Sequence, residues 1–82
     1  MRLVRQTKLF YQEGTSDKVY EIDLCEAGDG EFIVNFRYGR RGSLLREGTK
    51  TPFPESRPKA EDLFSKLVAE KTTKGYRPEV DL

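Results

Sequence analysis

The chain has no histidine and only one cysteine among its 82 residues. Without histidine it lacks the commonest general base and the commonest metal ligand of proteins. The single Cys25 forms neither an internal disulfide nor a Cys-x-x-Cys zinc site. Gly28-Asp29-Gly30 is no dinucleotide-binding fingerprint, because Ile33 takes the third glycine position and no helix is predicted after it. We therefore expect no enzyme, no metal and no cofactor, and a reducing compartment.

Long hydrophobic runs are also lacking. No stretch approaches the roughly 18 apolar residues of a membrane span, and the N-terminus has no apolar core of a secretion signal. We expect no membrane partner and a cytoplasmic, intracellular location, with nucleoid association if the protein binds DNA.

Positive and negative charges nearly balance, with a formal net charge of +1. They are nevertheless segregated along the sequence. Residues 12–31 carry seven acidic residues against Lys18, whereas residues 37–50 carry five basic residues against Glu47. The pI of about 7.8 lies below the basic range of avid nucleic-acid binders. Because the local electrostatic potential governs contact with a polyanion, we expect nucleic acid to bind weakly and only at the basic segment.

The most informative segment is the basic corner at residues 37–42. It places three guanidinium groups and one aromatic ring on a corner that contains Gly39 and Gly42. Arginines bind phosphate, and aromatic rings stack on bases or sugars. The segment therefore predicts a nucleic-acid-binding site, with DNA as the expected ligand. Its residues are Arg37, Tyr38, Gly39, Arg40 and Arg41, with Lys18, Arg46 and Lys50 as secondary contacts to the nucleic-acid backbone.

Each of these residues also has a structural interpretation. Arg37 points away from the apolar face, where it is free for phosphate or paired with Glu21 across a hairpin. Tyr38 lies on the apolar face, where it caps the core or stacks on a nucleotide. Arg40 and Arg41 are solvated turn residues or ligand contacts. The alternative function is an interaction module whose corner docks a protein or another domain of the parent protein.

Alternation of apolar and polar residues predicts a sheet. The expected strands are residues 3–11, 18–25, 31–38 and, more weakly, 43–51. Glycine-rich reversals at 12–17 and 27–30 join consecutive strands as antiparallel hairpins. Matching the apolar faces of the second and third strands predicts three pairs: Leu24 with Phe32, Ile22 with Val34, and Tyr20 with Phe36.

A helix is predicted after the prolines at residues 52–58. Ser56 is its N-cap, and Pro58 lies in the first turn, where a missing N–H costs little. Gly75 and Pro78 end it. The apolar stripe repeats every three and four residues, at Ala60, Leu63, Phe64, Leu67 and Val68. The expected fold is α+β, a small antiparallel sheet of about four strands with one C-terminal helix on one face, forming one domain over residues 1–82.

Several segments together resemble the WGR domain. They are Asp17-Lys18-Val19-Tyr20-Glu21-Ile22, Phe36-Arg37-Tyr38-Gly39-Arg40-Arg41-Gly42, Thr49-Lys50-Thr51-Pro52-Phe53, and Phe64 to Tyr76 with its Glu-Lys-Thr-Thr-Lys-Gly-Tyr ending. The resemblance covers residues 9–76, in order and with compatible spacing. The family occurs in poly(ADP-ribose) polymerases and in bacterial proteins resembling the molybdate-metabolism regulator. It implies a noncatalytic module of a larger, bacterial protein, which binds nucleic acid or neighbouring domains.

The family is named after a Trp-Gly-Arg signature at the end of a strand. Two positions of this chain depart from the residues that the family has, one in that signature and one before the second strand. Tyr38 stands where the signature has tryptophan, which in the polymerases packs against a terminal nucleotide, and it offers a smaller stacking area. Asp17 stands where the polymerases have asparagine before Lys18, so that a carboxylate replaces a neutral donor. Arg40 keeps the signature arginine, which the resemblance assigns to nucleic acid or to a neighbouring domain.

Overall fold

A computed structural model describes residues 1–78 of the chain. Its elements are β1 (Arg2–Glu13), β2 (Ser16–Gly28), β3 (Glu31–Arg40), β4 (Arg46–Thr49), α1 (Arg57–Thr73) and β5 (Arg77–Pro78). The strands form one antiparallel sheet in the order β4-β3-β2-β1-β5. The predicted α+β fold is confirmed, with five strands rather than about four.

The sheet differs from the prediction at both edges. β5 consists of two residues that pair with Phe10 and Leu9 of β1, after Gly75 at a φ of +106° turns the chain back. A two-residue strand has no alternation for sequence reasoning to detect. The fourth strand covers Arg46–Thr49 instead of 43–51, because residues 41–43 form a turn in which Ser43 N–H donates to Arg40 O.

The β2–β3 hairpin has a register two residues away from the predicted one, so the predicted pairs are wrong. The observed pairs are Tyr20 with Tyr38, Ile22 with Phe36, and Leu24 with Val34. The reason is a two-residue turn at Asp29 and Gly30, together with a shift in pairing between Glu26 and Gly28. Since a shift of two residues preserves side-chain parity, every side chain keeps its predicted face.

Helix α1 covers one face of the sheet, here called the helix face; the other is the open face. Ser56 Oγ accepts a hydrogen bond from Lys59 N at 3.4 Å, and Pro58 lies in the first turn, as predicted. Gly75 follows the C-cap Lys74. The buried cluster between helix and sheet comprises Leu9, Tyr20, Ile22, Leu24, Phe32, Val34, Ala60, Phe64 and Leu67. It confirms the apolar stripe of the helix.

Candidate nucleic-acid interface

The basic corner is divided between the two faces of the sheet. Successive side chains of a strand point to opposite faces, and Tyr38 packs with Tyr20 of the core on the helix face. Arg37 pairs instead with Glu21 on the open face. Arg40 shares the parity of Tyr38, while Arg41 contacts Phe10 on the open face. The three arginines therefore do not form one cluster.

Arg37 is held by carboxylates of the open face. Its Nε lies 2.9 Å from Glu21 Oε1 and its Nη1 lies 2.9 Å from Asp23 Oδ2. These bonds, first that to Asp23 and then that to Glu21, raise the pKa of Arg37. The cross-strand interpretation of Arg37 is thus what the geometry shows, and its contact with nucleic acid stays a prediction.

Arg41 joins the corner to the start of β2. Its Nε lies 3.0 Å from Asp17 Oδ1, and its backbone N–H donates to Asp17 O at 2.8 Å. The guanidinium carbon lies 4.6 Å from the centroid of the Phe10 ring, close enough for a cation–π interaction. A ligand contact by Arg41 also stays a prediction.

A row of aromatic rings crosses the helix face. Tyr20 stacks on Phe36 and on Tyr38, with ring centroids 5.6 Å and 5.7 Å apart. Tyr76 meets Tyr20 edge to face at 6.0 Å and lies 5.6 Å from Tyr11. Tyr38 is 37% exposed, whereas Tyr20 is buried. Tyr38 therefore caps the core with part of its surface and presents the remainder to solvent.

The exposed part of Tyr38 opens on a cavity of about 500 Å³, here called the Tyr38 groove. Its lining residues are Thr15, Ser16, Asp17, Lys18, Tyr38, Gly39, Arg40 and Tyr76. Arg40 Nη1 donates to Thr15 O at 2.9 Å. Within residues 1–78 Arg40 has no carboxylate partner. The structure thus brings together four predicted residues, namely Lys18, Tyr38, Gly39 and Arg40.

Gly39 has a steric role in the groove. Its φ is +154°, and a β-carbon there would lie 3.3 Å from Leu45 Cδ2. Such contacts are tighter than side chains normally accept, so glycine lets residues 44–45 pack closely behind the corner. The prediction that Gly39 touches nucleic acid itself remains untested by this geometry.

The two remaining predicted cations flank the aromatic row. Arg46 is paired with Tyr38 across β3 and β4, on the same face. Lys50 Nζ lies 5.8 Å from the centroid of the Phe36 ring. Both residues are exposed. Four predicted cations therefore lie on the helix face: Lys18, Arg40, Arg46 and Lys50.

Sequence reasoning missed a neighbouring cavity of about 350 Å³. Its lining residues are Tyr11, Ser16, Lys18, Lys71, Lys74 and Tyr76. Lys71 Nζ lies 4.7 Å from the centroid of the Tyr20 ring. Lys71 and Lys74 belong to the Glu-Lys-Thr-Thr-Lys-Gly-Tyr ending, which carried the family resemblance. That motif was the available signal that these lysines matter. Their approach to β1 and β2 depends on tertiary packing, which the motif does not reveal.

Residues 1–78 contain no group of three or more histidine, cysteine, aspartate or glutamate residues placed to hold a metal ion. Cys25 is buried on the open face, and burial raises the pKa of its thiol. A raised pKa disfavours the reactive thiolate. No helix within these residues has the length and apolar character needed to cross a membrane.

Comparison with protein families matches residues 4–81 to the WGR domain. Neither the curated proteins nor the solved structures contain a match to the chain. The family match covers nearly the whole sequence, and the signature positions Tyr38, Gly39 and Arg40 lie together in the groove. The chain belongs to the WGR domain family.

Proposed function

We propose that this protein is a noncatalytic module that binds nucleic acid in the Tyr38 groove. The WGR domain is a small noncatalytic domain, known as a nucleic-acid-binding module in proteins like the poly(ADP-ribose) polymerases. One observation carries the proposal. Tyr38 presents an exposed ring beside Arg40, a guanidinium without a carboxylate partner in residues 1–78, and both line one cavity of about 500 Å³.

The chemistry of the groove suits one nucleotide with its phosphate. The bond from Arg40 Nη1 to Thr15 O fixes the guanidinium in place and leaves other N–H groups for phosphate oxygens. Lys18 adds a second positive charge on the opposite strand. The Tyr38 ring offers a stacking surface for a base or sugar. Because tyrosine stacks over a smaller area than tryptophan, we expect weak binding.

Arg37 and Arg41 have supporting roles in this proposal. Arg41 ties the corner to Asp17, which immediately precedes Lys18 and so fixes the approach of Lys18 to the groove. Arg37 pairs with both Glu21 and Asp23 on the open face. The phosphate contacts come instead from the helix face, through Arg40 and Lys18, with Arg46 and Lys50 at the flank.

Fluorescence anisotropy with a short duplex and a short single strand, each carrying a 5′ phosphate, tests the proposal. If the four cations of the helix face each engage a phosphate, the logarithm of affinity falls with the logarithm of salt with a slope of about −3.6 on duplex DNA. R40Q is expected to weaken binding about tenfold and to make the slope shallower by about 1.

R2Q is the matched control for R40Q, because Arg2 pairs with Glu26 at the opposite end of the sheet and the change in charge is the same. Equal losses in R2Q and R40Q would mean that net charge, rather than the groove, governs retention. Absence of binding by the unaltered protein at low salt would overturn the proposal.

A second candidate function is docking of a protein or of another domain of the parent protein. Leu44, between the basic corner and β4, is 98% exposed, and such a leucine beside arginines suits an interface whose core is apolar and whose rim is charged. L44S separates the candidates: it is expected to leave nucleic-acid affinity unchanged and to weaken docking of a parent domain.

A further inference from the structure

We propose that Lys18, Lys71 and Lys74 form a second phosphate subsite, which takes the phosphodiester next to the nucleotide held in the Tyr38 groove. This inference rests on the proposed function. The subsite, here called the Lys71 subsite, is the cavity of about 350 Å³ between the end of α1 and strands β1 and β2. Its ligand class is a nucleic-acid strand that passes from one cavity to the other.

The two cavities are adjacent. Ser16, Lys18 and Tyr76 line both of them. Lys18 lies at this shared wall, with its Nζ 5.7 Å from the centroid of the Tyr11 ring. A strand whose first phosphate meets Arg40 therefore meets Lys18 next and then reaches the lysines of α1. The alignment gives the strand a direction across the helix face, away from the corner.

The walls of the Lys71 subsite are fixed by packing. The rings of Tyr11 and Tyr76 lie 5.6 Å apart at 44°. A β-carbon on Gly75 would come within 3.1 Å of Tyr11 Cε2, so glycine allows this close approach and sets the position of Tyr76. Lys71 Nζ in turn lies against the Tyr20 ring. The three lysines thus line a cavity whose aromatic side chains pack against one another.

Positive charge in the subsite is incompletely neutralised. Lys74 Nζ lies 3.8 Å from Glu70 Oε1, a long pair on an exposed surface, which contributes little. Glu13 accepts a hydrogen bond from the Tyr11 hydroxyl at 2.6 Å. Among residues 1–78 none of the lining residues is a carboxylate.

The ionisation of Lys71 agrees with this geometry. Burial lowers the pKa of Lys71; Glu70 opposes the shift, and Lys74 and Lys50 add to it. An ammonium group that is partly desolvated and faces like charges is stabilised by an incoming anion. A bound phosphate is therefore expected to raise the pKa of Lys71 toward its ordinary value.

The test uses K71Q, K74Q and the control K66Q with a short single strand carrying a 5′ phosphate. Lys66 lies on the same helix but pairs with Asp62 at 2.9 Å, outside both cavities, and the charge change is identical. K71Q and K74Q are each expected to weaken binding several-fold and to make the salt slope shallower by about 0.7, while K66Q leaves both unchanged. Circular dichroism melting identifies any variant that fails to fold.

The outcomes separate this inference from the proposed function. If the unaltered protein does not bind the strand, or if R40Q binds it as tightly as the unaltered protein does, both the proposed function and the subsite are wrong. Binding that R40Q weakens, with K71Q and K74Q behaving like K66Q, overturns the subsite alone. A second readout is NMR titration of the Lys71 side chain, whose pKa is expected to rise on addition of the strand; an unchanged pKa contradicts the subsite.

Discussion

Arg37 and Glu21 lie directly opposite each other on β3 and β2, with Arg37 Nε 2.9 Å from Glu21 Oε1. The same guanidinium reaches Asp23 through Nη1. Lys8 approaches Glu21 at 4.0 Å, and Gln6 donates to Asp23 at 2.8 Å. Arg37 is therefore the centre of a polar network that spans β1, β2 and β3 on the open face, and its first role is in the stability of the sheet.

R37Q is expected to lower the free energy of unfolding by about 2 kcal/mol, because it leaves two partly buried carboxylates without their charged donor. R41Q is the comparison. Its pair with Asp17 has side chains 47% and 29% exposed, so we expect a loss of about 1 kcal/mol or less. Urea unfolding measures both values. A larger loss in R41Q than in R37Q would contradict the structural role of the network.

Two phenylalanines test where the core lies. Phe64 is 1% exposed in the apolar stripe of α1, whereas Phe53 is 78% exposed between two prolines. F64A is expected to cost about 3–5 kcal/mol, a large share of the stability of a domain this size. F53A is expected to change stability by less than about 0.5 kcal/mol. Thermal and urea unfolding of both variants measure the contrast; equal effects would refute the assigned helix face.

The fold was predictable because its signals are local. The capping Ser56, the stripe through Phe64 and the stop at Gly75 each follow from residues a few positions apart, and all three are found. The hairpin register was not predictable to the residue. Apolar alternation fixes only which face a side chain takes, whereas the pairing of Ile22 with Phe36 depends on how the turn at Asp29 and Gly30 closes.

Gly48 tests how the aromatic row is held. A β-carbon at Gly48 would collide with the Phe36 ring. The Phe36 ring stacks on Tyr20, and Tyr20 in turn stacks on Tyr38. G48A is therefore expected to cost about 1–3 kcal/mol by overpacking and to change the chemical shifts of Tyr38.

G28A is the control for G48A. The nearest atom to a β-carbon on Gly28 is Glu31 Oε2 at 3.7 Å, an ordinary contact. We expect a change below about 0.5 kcal/mol and unchanged Tyr38 shifts. The packing argument fails if G48A is as stable as G28A and leaves the Tyr38 ring signals in place.

Sequence reasoning found the candidate site only in part. The local signal, arginines beside an aromatic residue at a glycine-containing corner, led to Tyr38 and Arg40, which do share a groove. It also grouped Arg37 and Arg41 with them, although strand pleating sends Arg37 to the other face and the turn after β3 brings Arg41 against Phe10 on that face. Lys71 was missed because its position in the neighbouring cavity depends on a helix that packs across strands distant in sequence.

The last prediction concerns alkaline stability. Tyr20 is buried, and this burial, with Glu70, Tyr38 and Tyr76 nearby, raises the pKa of its hydroxyl to about 12. The unfolded chain ionises at the ordinary tyrosine pKa near 10. The contribution of Tyr20 to stability is therefore fully present below about pH 10 and is lost as the pH rises through about 12.

The loss is at most about 3 kcal/mol, the equivalent of two pKa units. Lys71 lies against the same ring, and its lowered pKa has the opposite effect on stability. Its contribution makes the protein more stable as the pH rises, until the lysine of the unfolded chain also loses its proton. Y20F removes the Tyr20 step and keeps the lysine. Urea unfolding of both proteins at a series of pH values isolates the step as a difference. If the two curves stay parallel from about pH 10 to 12, Tyr20 does not ionise as its burial requires.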